Sequence, residues 1–102
     1  HVRRTRVLVH VVEMHPPEGA PADAFRGVSA ELTQYDESIA DKPVLVAANK
    51  IDLPGAREAL AEFMRATGLS EVYPISAATG EGVSALLQAV RGVLSREEAS
   101  VS

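Results

Sequence analysis

A nearly unbroken apolar run, Val7 to Val12, interrupted only by His10, constrains the fold of this chain more than any other feature. A strand of that composition is suited to cover on both faces, which is the environment of a parallel sheet flanked by helices. The period then changes. After a stretch from Met14 to Ala22 that carries Pro16, Pro17, Gly19 and Pro21, and so reads as a loop, Phe25, Val28, Leu32, Tyr35 and Ile39 recur at three- and four-residue steps. That spacing predicts a helix laying one apolar stripe against the sheet. Pro43 to Ala48 reads as a second strand. Pro54 suits the first turn of a second helix, with Leu60, Phe63 and Met64 on one face and Gly68 closing it. Glu71 to Ile75 reads as a short third strand, and a last helix from about Gly82 aligns Val83, Leu86, Leu87, Val90 and Leu94. The resulting order, βαβαβα, implies right-handed crossovers, parallel strands and ligands beyond the strands' carboxyl ends.

Proline sorts the strands. Pro74 cannot donate a ladder hydrogen bond, so the third strand belongs at a sheet edge. The first strand is fit for the middle of a sheet, yet only residues 1–6 precede it, with Arg3, Arg4 and Arg6 as its guard. The expectation is therefore a missing pairing strand, a chain cut from a larger domain, and self-association or partial disorder of this piece in isolation. At 102 residues the length fits one domain, and 46% hydrophobic residues supply a modest core. The apolar runs are too short to span a bilayer. A net charge of −4 argues against a broad electrostatic grip on nucleic acid or anionic membrane. Zero cysteines exclude disulfides and thiolate chemistry and fit a reducing cytoplasm, and nothing at the start resembles a secretory leader.

Chemistry concentrates at the ends of the second and third strands. Asn49, Lys50, Ile51 and Asp52 follow directly on the second. An aspartate there can accept two N–H groups from the edge of guanine, which adenine does not present, while a lysine stem lies along the base and an asparagine ties the loop to its neighbours. Such two-pronged bonding discriminates strongly, because a wrong base leaves the carboxylate unpaired. Alone, the tetrapeptide reads equally well as a polar turn with a capping acid. Ser76-Ala77-Ala78-Thr79-Gly80-Glu81-Gly82, at the end of the third strand, favours the pocket by placing a second loop on the same rim. Within it, Gly80-Glu81-Gly82 reads as helix-entry geometry rather than a phosphate grip.

Other constellations carry less. There is no G-x-x-x-x-G-K-[ST] to cradle phosphates, and the D-x-x-G match Asp52-Leu53-Pro54-Gly55 begins at an aspartate already used by the preceding motif. His1, His10 and His15 lack metal-ligand spacing, so no metal site is assigned. Asp36 with Glu37, and Glu97 with Glu98, read as solvated charge. Ser29, Ser84 and Ser95 have no nucleophile-elbow pattern. No catalytic residue is assigned.

Four stretches together resemble the carboxyl-terminal half of the G domain of Obg-family GTPases: Arg6 to Val12, Glu31-Leu32 with Tyr35-Asp36, Ala48 to Pro54, and Pro74 to Gly82. The resemblance implies an α/β three-layer sandwich fragment of a Ras-like P-loop GTPase domain, βαβαβα with parallel strands, and a parent that binds GTP and GDP with magnesium. It makes Asp52 the acceptor for guanine N–H groups, Lys50 the lid over the base and Asn49 the brace. It assigns the backbone N–H of Ala77 to the guanine carbonyl oxygen, with Ser76 and Ala78 shaping the loop. The phosphate cradle, magnesium ligands and switches would lie upstream, so this piece alone would not hydrolyse GTP. A cytoplasmic role in assembling the large ribosomal subunit is implied for the parent. Glu13 stands where the family usually has aspartate, a departure expected to touch no guanine contact. Competing readings are a GTPase-like interaction domain without turnover and an unrelated flavodoxin-like binding module, the latter needing a phosphate-binding first loop that this chain does not show.

Overall fold

A computed structural model describes residues 7–16, 18–35 and 43–101, with residues 97–101 described by backbone alone. The elements run β1 (Leu8–Glu13), α1 (Pro21–Tyr35), β2 (Val44–Asn49), α2 (Ala56–Thr67), β3 (Tyr73–Pro74) and α3 (Val83–Val101). The three strands form one sheet in the order β1-β2-β3, and both pairings are parallel. The βαβαβα order read from hydrophobic period is thus the observed one.

The sheet has a helical layer on each face. Val46 and Ala48 of β2 pack with Val12, Met14, Ala22, Ile51, Ala56 and Phe63, which brings α1 and α2 to one side. Ala47, one residue out of phase, packs with Ile75 and Leu86 and so meets α3 on the other. Phe63, 1% exposed, anchors the larger side. It meets Phe25 edge-on at 5.5 Å, and Phe25 in turn stacks on His10 at 4.8 Å. Among the described strands only the central one has buried residues on both faces. In β1, Val12 is buried but Val9 and Val11 are 40% and 48% exposed, against the two-sided cover expected from composition. The reason is register. Val11 is paired with Ala47 and shares its face, while the apolar residues grouped with Ala47 come from β3, α3 and their approaches.

The same geometry corrects the reading of α1. Phe25 packs on the core, but Val28 and Leu32 are 42% and 38% exposed and Tyr35 is 87% exposed, so the stripe leaves the sheet after its first turns. Val28 and Leu32 instead line an open apolar cavity with Leu8, Val9, Val11 and Val44. Pro21 opens α1 rather than belonging to the loop before it, since the first helical position needs no N–H. Pro54 falls in a turn, and α2 begins at Ala56 because Gly55, at φ 81°, is left-handed and cannot be part of the helix. Gly68 closes α2 as expected, at φ 76° with its N–H on Met64 O. β3 is shorter than the apolar run suggested, and Pro74 does sit on a strand paired on one side only among the described residues. In α3, Leu86 is buried with Val93 while Leu87 is 47% exposed, so its stripe is only partly covered. Arg3, Arg4, Arg6, Asp36, Glu37 and Ile39, and the side chains of Glu97 and Glu98, lie outside the described residues.

Candidate functional site

The carboxyl ends of β2 and β3 carry the site. Ile75 donates its N–H to Ala48 O at 2.8 Å, and Ile51 donates to Ile75 O at 3.1 Å, so the chain segments leaving the two strands are laced together by main-chain bonds. Between these anchors β2 ends in a sharp turn. Lys50 adopts φ 70°, a left-handed conformation that is uncommon outside glycine, and its carbonyl accepts the Leu53 N–H at 3.1 Å. Such a bend costs about 1–2 kcal/mol in a non-glycine residue and persists only when the surroundings impose it. The surroundings here are Asn49 and Ile51, both fixed to neighbouring strands.

Asn49 is a fork. Its Nδ2 donates to Glu13 Oε2 at 3.2 Å, and its Oδ1 accepts the N–H of Ala77 at 3.0 Å. One side chain thereby joins the end of β1 to the loop after β3. Glu13 is placed for this by the sheet, where it is the register partner of Asn49. Its second oxygen, Oε1, is enclosed and faces the Lys50 ammonium at 3.1 Å, an ion pair without the alignment of a hydrogen bond. Both side chains of that pair are close to half exposed, so the Coulomb gain is modest, of the order of 0–1 kcal/mol. The sequence reading gave Glu13 no part in the site; the structure joins it to both Asn49 and Lys50.

The loop after β3 is closed on itself around Ser76, which is fully buried. Its N–H donates to Glu81 O at 2.9 Å, its carbonyl accepts Gly80 N–H at 2.7 Å, and its hydroxyl accepts Thr79 N–H at 3.1 Å. Gly82 lets the loop return. It is left-handed at φ 75°, and a Cβ there would lie 2.1 Å from Pro74 O. Arg57 of α2 reaches the same loop through a 2.7 Å ion pair with Glu81, a link that no spacing in the sequence announces.

Between the two turns lies an open cavity of about 300 Å³, lined by Asn49, Lys50, Asp52, Leu53, Ser76, Ala77 and Ala78. That is the lower end of the roughly 300–1,000 Å³ usual for small-molecule sites. The six residues given a guanine role from sequence, Asn49, Lys50, Asp52, Ser76, Ala77 and Ala78, all line this cavity, with Leu53 added. Asp52 is exposed at its rim. Among the described residues no group of three or more His, Cys, Asp or Glu side chains is arranged to hold a metal ion. No described helix is long and apolar enough to cross a membrane.

Proteins named GTPase Obg align with nearly the whole chain. The protein from Moorella thermoacetica is 46% identical over 95 residues, covering 92% of this chain and 22% of its own length. That from Desulforudis audaxviator is 49% identical over 89 residues, covering 85% and 21%, and that from Geobacillus thermodenitrificans is 45% identical over 96 residues, covering 92% and 22%. The chain belongs to the Obg family. No protein-family model matches it. It spans about a fifth of the length of these Obg relatives, which are GTPases by name. The kinship also agrees with the sheet: an α/β order of three parallel strands with the Asn-Lys-Ile-Asp turn after β2 and the Ser-Ala-Ala turn after β3 is what the Obg resemblance implied.

Proposed function

We propose that this chain is the guanine-recognition part of an Obg-type G domain, its residues 1–102 corresponding to the carboxyl-terminal part of that domain. The observation that carries the reading is the 3.0 Å bond from Ala77 N–H to Asn49 Oδ1, which brings the loops after β2 and β3 to one cavity. In this reading Asp52 accepts two N–H groups from the guanine edge. The Lys50 stem lies along the base while Glu13 holds its ammonium. Ala77 N–H donates to the guanine carbonyl oxygen, sharing or exchanging its Asn49 acceptor when the base enters. Ser76 and Ala78 shape the loop from below and beside. GTP and GDP are the ligands, the nucleotide arriving with magnesium whose ligands lie elsewhere in the parent, and these residues supply binding without phosphoryl transfer.

The wider roles belong to the same proposed reading. The parent hydrolyses GTP, works in the cytoplasm and takes part in assembling the large ribosomal subunit. The uncovered valines of β1 would make the isolated piece self-associate.

Titration of the full-length parent with GDP and with xanthosine diphosphate tests the base contact. Asp52→Asn should weaken GDP binding and improve acceptance of the xanthine nucleotide, because an amide can donate where the carboxylate could only accept. Loss of one charge-assisted contact predicts roughly a tenfold change in preference. Unchanged preference would mean that Asp52 does not face the base.

A further inference from the structure

We propose that Glu13 is a positioning residue of the cavity, setting the orientation of the Asn49 amide and thereby the direction in which the Ala77 N–H is presented to a ligand. The inference rests on the pocket reading for its functional meaning, though its geometry stands apart from it. A carboxylate can only accept, so the end of Asn49 that faces Glu13 Oε2 at 3.2 Å must be the NH2 group. That leaves Oδ1 for Ala77, whose N–H it accepts at 3.0 Å. With the amide reversed, two acceptors would face each other on one side and two donors on the other. Glu13 and the Ala77 N–H therefore hold the Asn49 amide the same way round, one from each end.

Position is as constrained as chemistry. Glu13 is the last residue of β1 and pairs in register with Asn49, the last residue of β2, so the two side chains project to the same face at the same height. The remaining oxygen, Oε1, is enclosed and held against the Lys50 ammonium at 3.1 Å. One carboxylate thus fixes the amide that braces the second loop and also the tip of the side chain placed to lie along a base. A base-recognition loop with its donor held in one direction loses less freedom on binding than one free to turn.

Amide exchange with water, followed by NMR on the 102-residue chain, reads this directly. Glu13→Met keeps the length of the side chain and removes both oxygens; it should speed exchange at Ala77 by roughly two- to tenfold, the worth of one modest hydrogen bond. The amides of Ile51 and Ile75, which bond to main chain, should keep their wild-type rates. Glu13→Gln retains an acceptor oxygen and should hold Ala77 within about twofold of wild type. Unchanged Ala77 exchange in the methionine variant overturns the proposal, as does loosening of all three amides together in both variants. If the methionine variant fails to fold, the glutamine variant decides: fast exchange at Ala77 alone overturns the idea, and retained protection supports it. A parallel GDP titration of the full-length parent, which would carry the phosphate cradle, separates the two readings, since a parent indifferent to GDP sinks the guanine pocket while leaving the Ala77 result intact.

Discussion

Replacing Gly82 by alanine places a methyl group where there is no room for one. The added Cβ would lie 2.1 Å from Pro74 O, 3.2 Å from Pro74 C and 3.3 Å from Ile75 Cα, all of them backbone atoms that cannot rotate aside. Gly80, two residues earlier, supplies the control. It has a similar left-handed conformation, φ 87° against 75°, but nothing lies within 4 Å of its missing side chain. Gly80→Ala should therefore cost only the left-handed strain, about 1–2 kcal/mol. Gly82→Ala bears the same strain plus a forced backbone shift of the kind that costs about 1–3 kcal/mol, for a total of about 2–5 kcal/mol. Against the 5–15 kcal/mol typical of whole domains, that is a large share. The entropy lost from the unfolded chain is the same for both and cancels in the comparison. Urea unfolding followed by circular dichroism would show a midpoint lowered by on the order of 1 M or more relative to Gly80→Ala. The clash falls on the backbone of Pro74 and Ile75, which leads into Ser76 and Ala77, so its relief should also loosen the bond from Ala77 to Asn49. Equal stability of the two variants, within about 0.5 kcal/mol, would refute the claim that close backbone approach at Gly82 builds this loop.

Phe63→Ala removes the aromatic ring on which the α1–α2 side of the core rests and should cost about 3–5 kcal/mol, measured by the same unfolding curves. Burial lowers the pKa of His10 from its ordinary 6.5, so the unfolded chain takes up this proton at higher pH than the folded one. The histidine's contribution is accordingly whole above about pH 6.5, declines as pH falls through that value towards the folded pKa, and is constant below it. His10→Gln should flatten that part of the stability profile; a wild-type profile already flat below pH 6.5, at equal carboxylate behaviour, would contradict the burial of the ring.

Much of this architecture was legible because its signals are local. Apolar runs marked β1 and β2, Gly68 marked the end of α2, and Pro74 marked an edge, each by a property that the residue carries into any context. What escaped depends on partners. Val9 and Val11 have the composition of a strand buried on both faces, but whether the far face is covered is decided by α3, which packs beside Ala47 and Ile75. The stripe of α1 likewise goes uncovered at Leu32 and Tyr35, which its spacing alone could not reveal. Pro54 read as a helix start because proline fits one; the left-handed Gly55 moved the start to Ala56. Within the site, the motif loops were visible from their residue types, whereas Glu13 was not, because its link to Asn49 exists only through the register of β1 against β2.

That register explains how a rim built from turns can hold a fixed shape on so small a sheet. A turn at a strand's end is ordinarily the most mobile part of an α/β unit. Here each turn is bound on both sides of its functional residues: Asn49 O receives Met14 N–H and Ile51 N–H reaches Ile75 O, bracketing Lys50, while Ser76 N–H and Gly80 N–H close the second loop on itself. The bond from Ala77 to Asn49 then joins two already rigid pieces, so it costs little ordering of its own and yet settles their separation. The exposed part of the rim includes Asp52 with Ala77 and Ala78. Rigid donors and acceptors bordering an open cavity are the arrangement in which a mismatched base would find its polar edge unpaired, and that penalty rather than the number of contacts is what would give such a rim its selectivity.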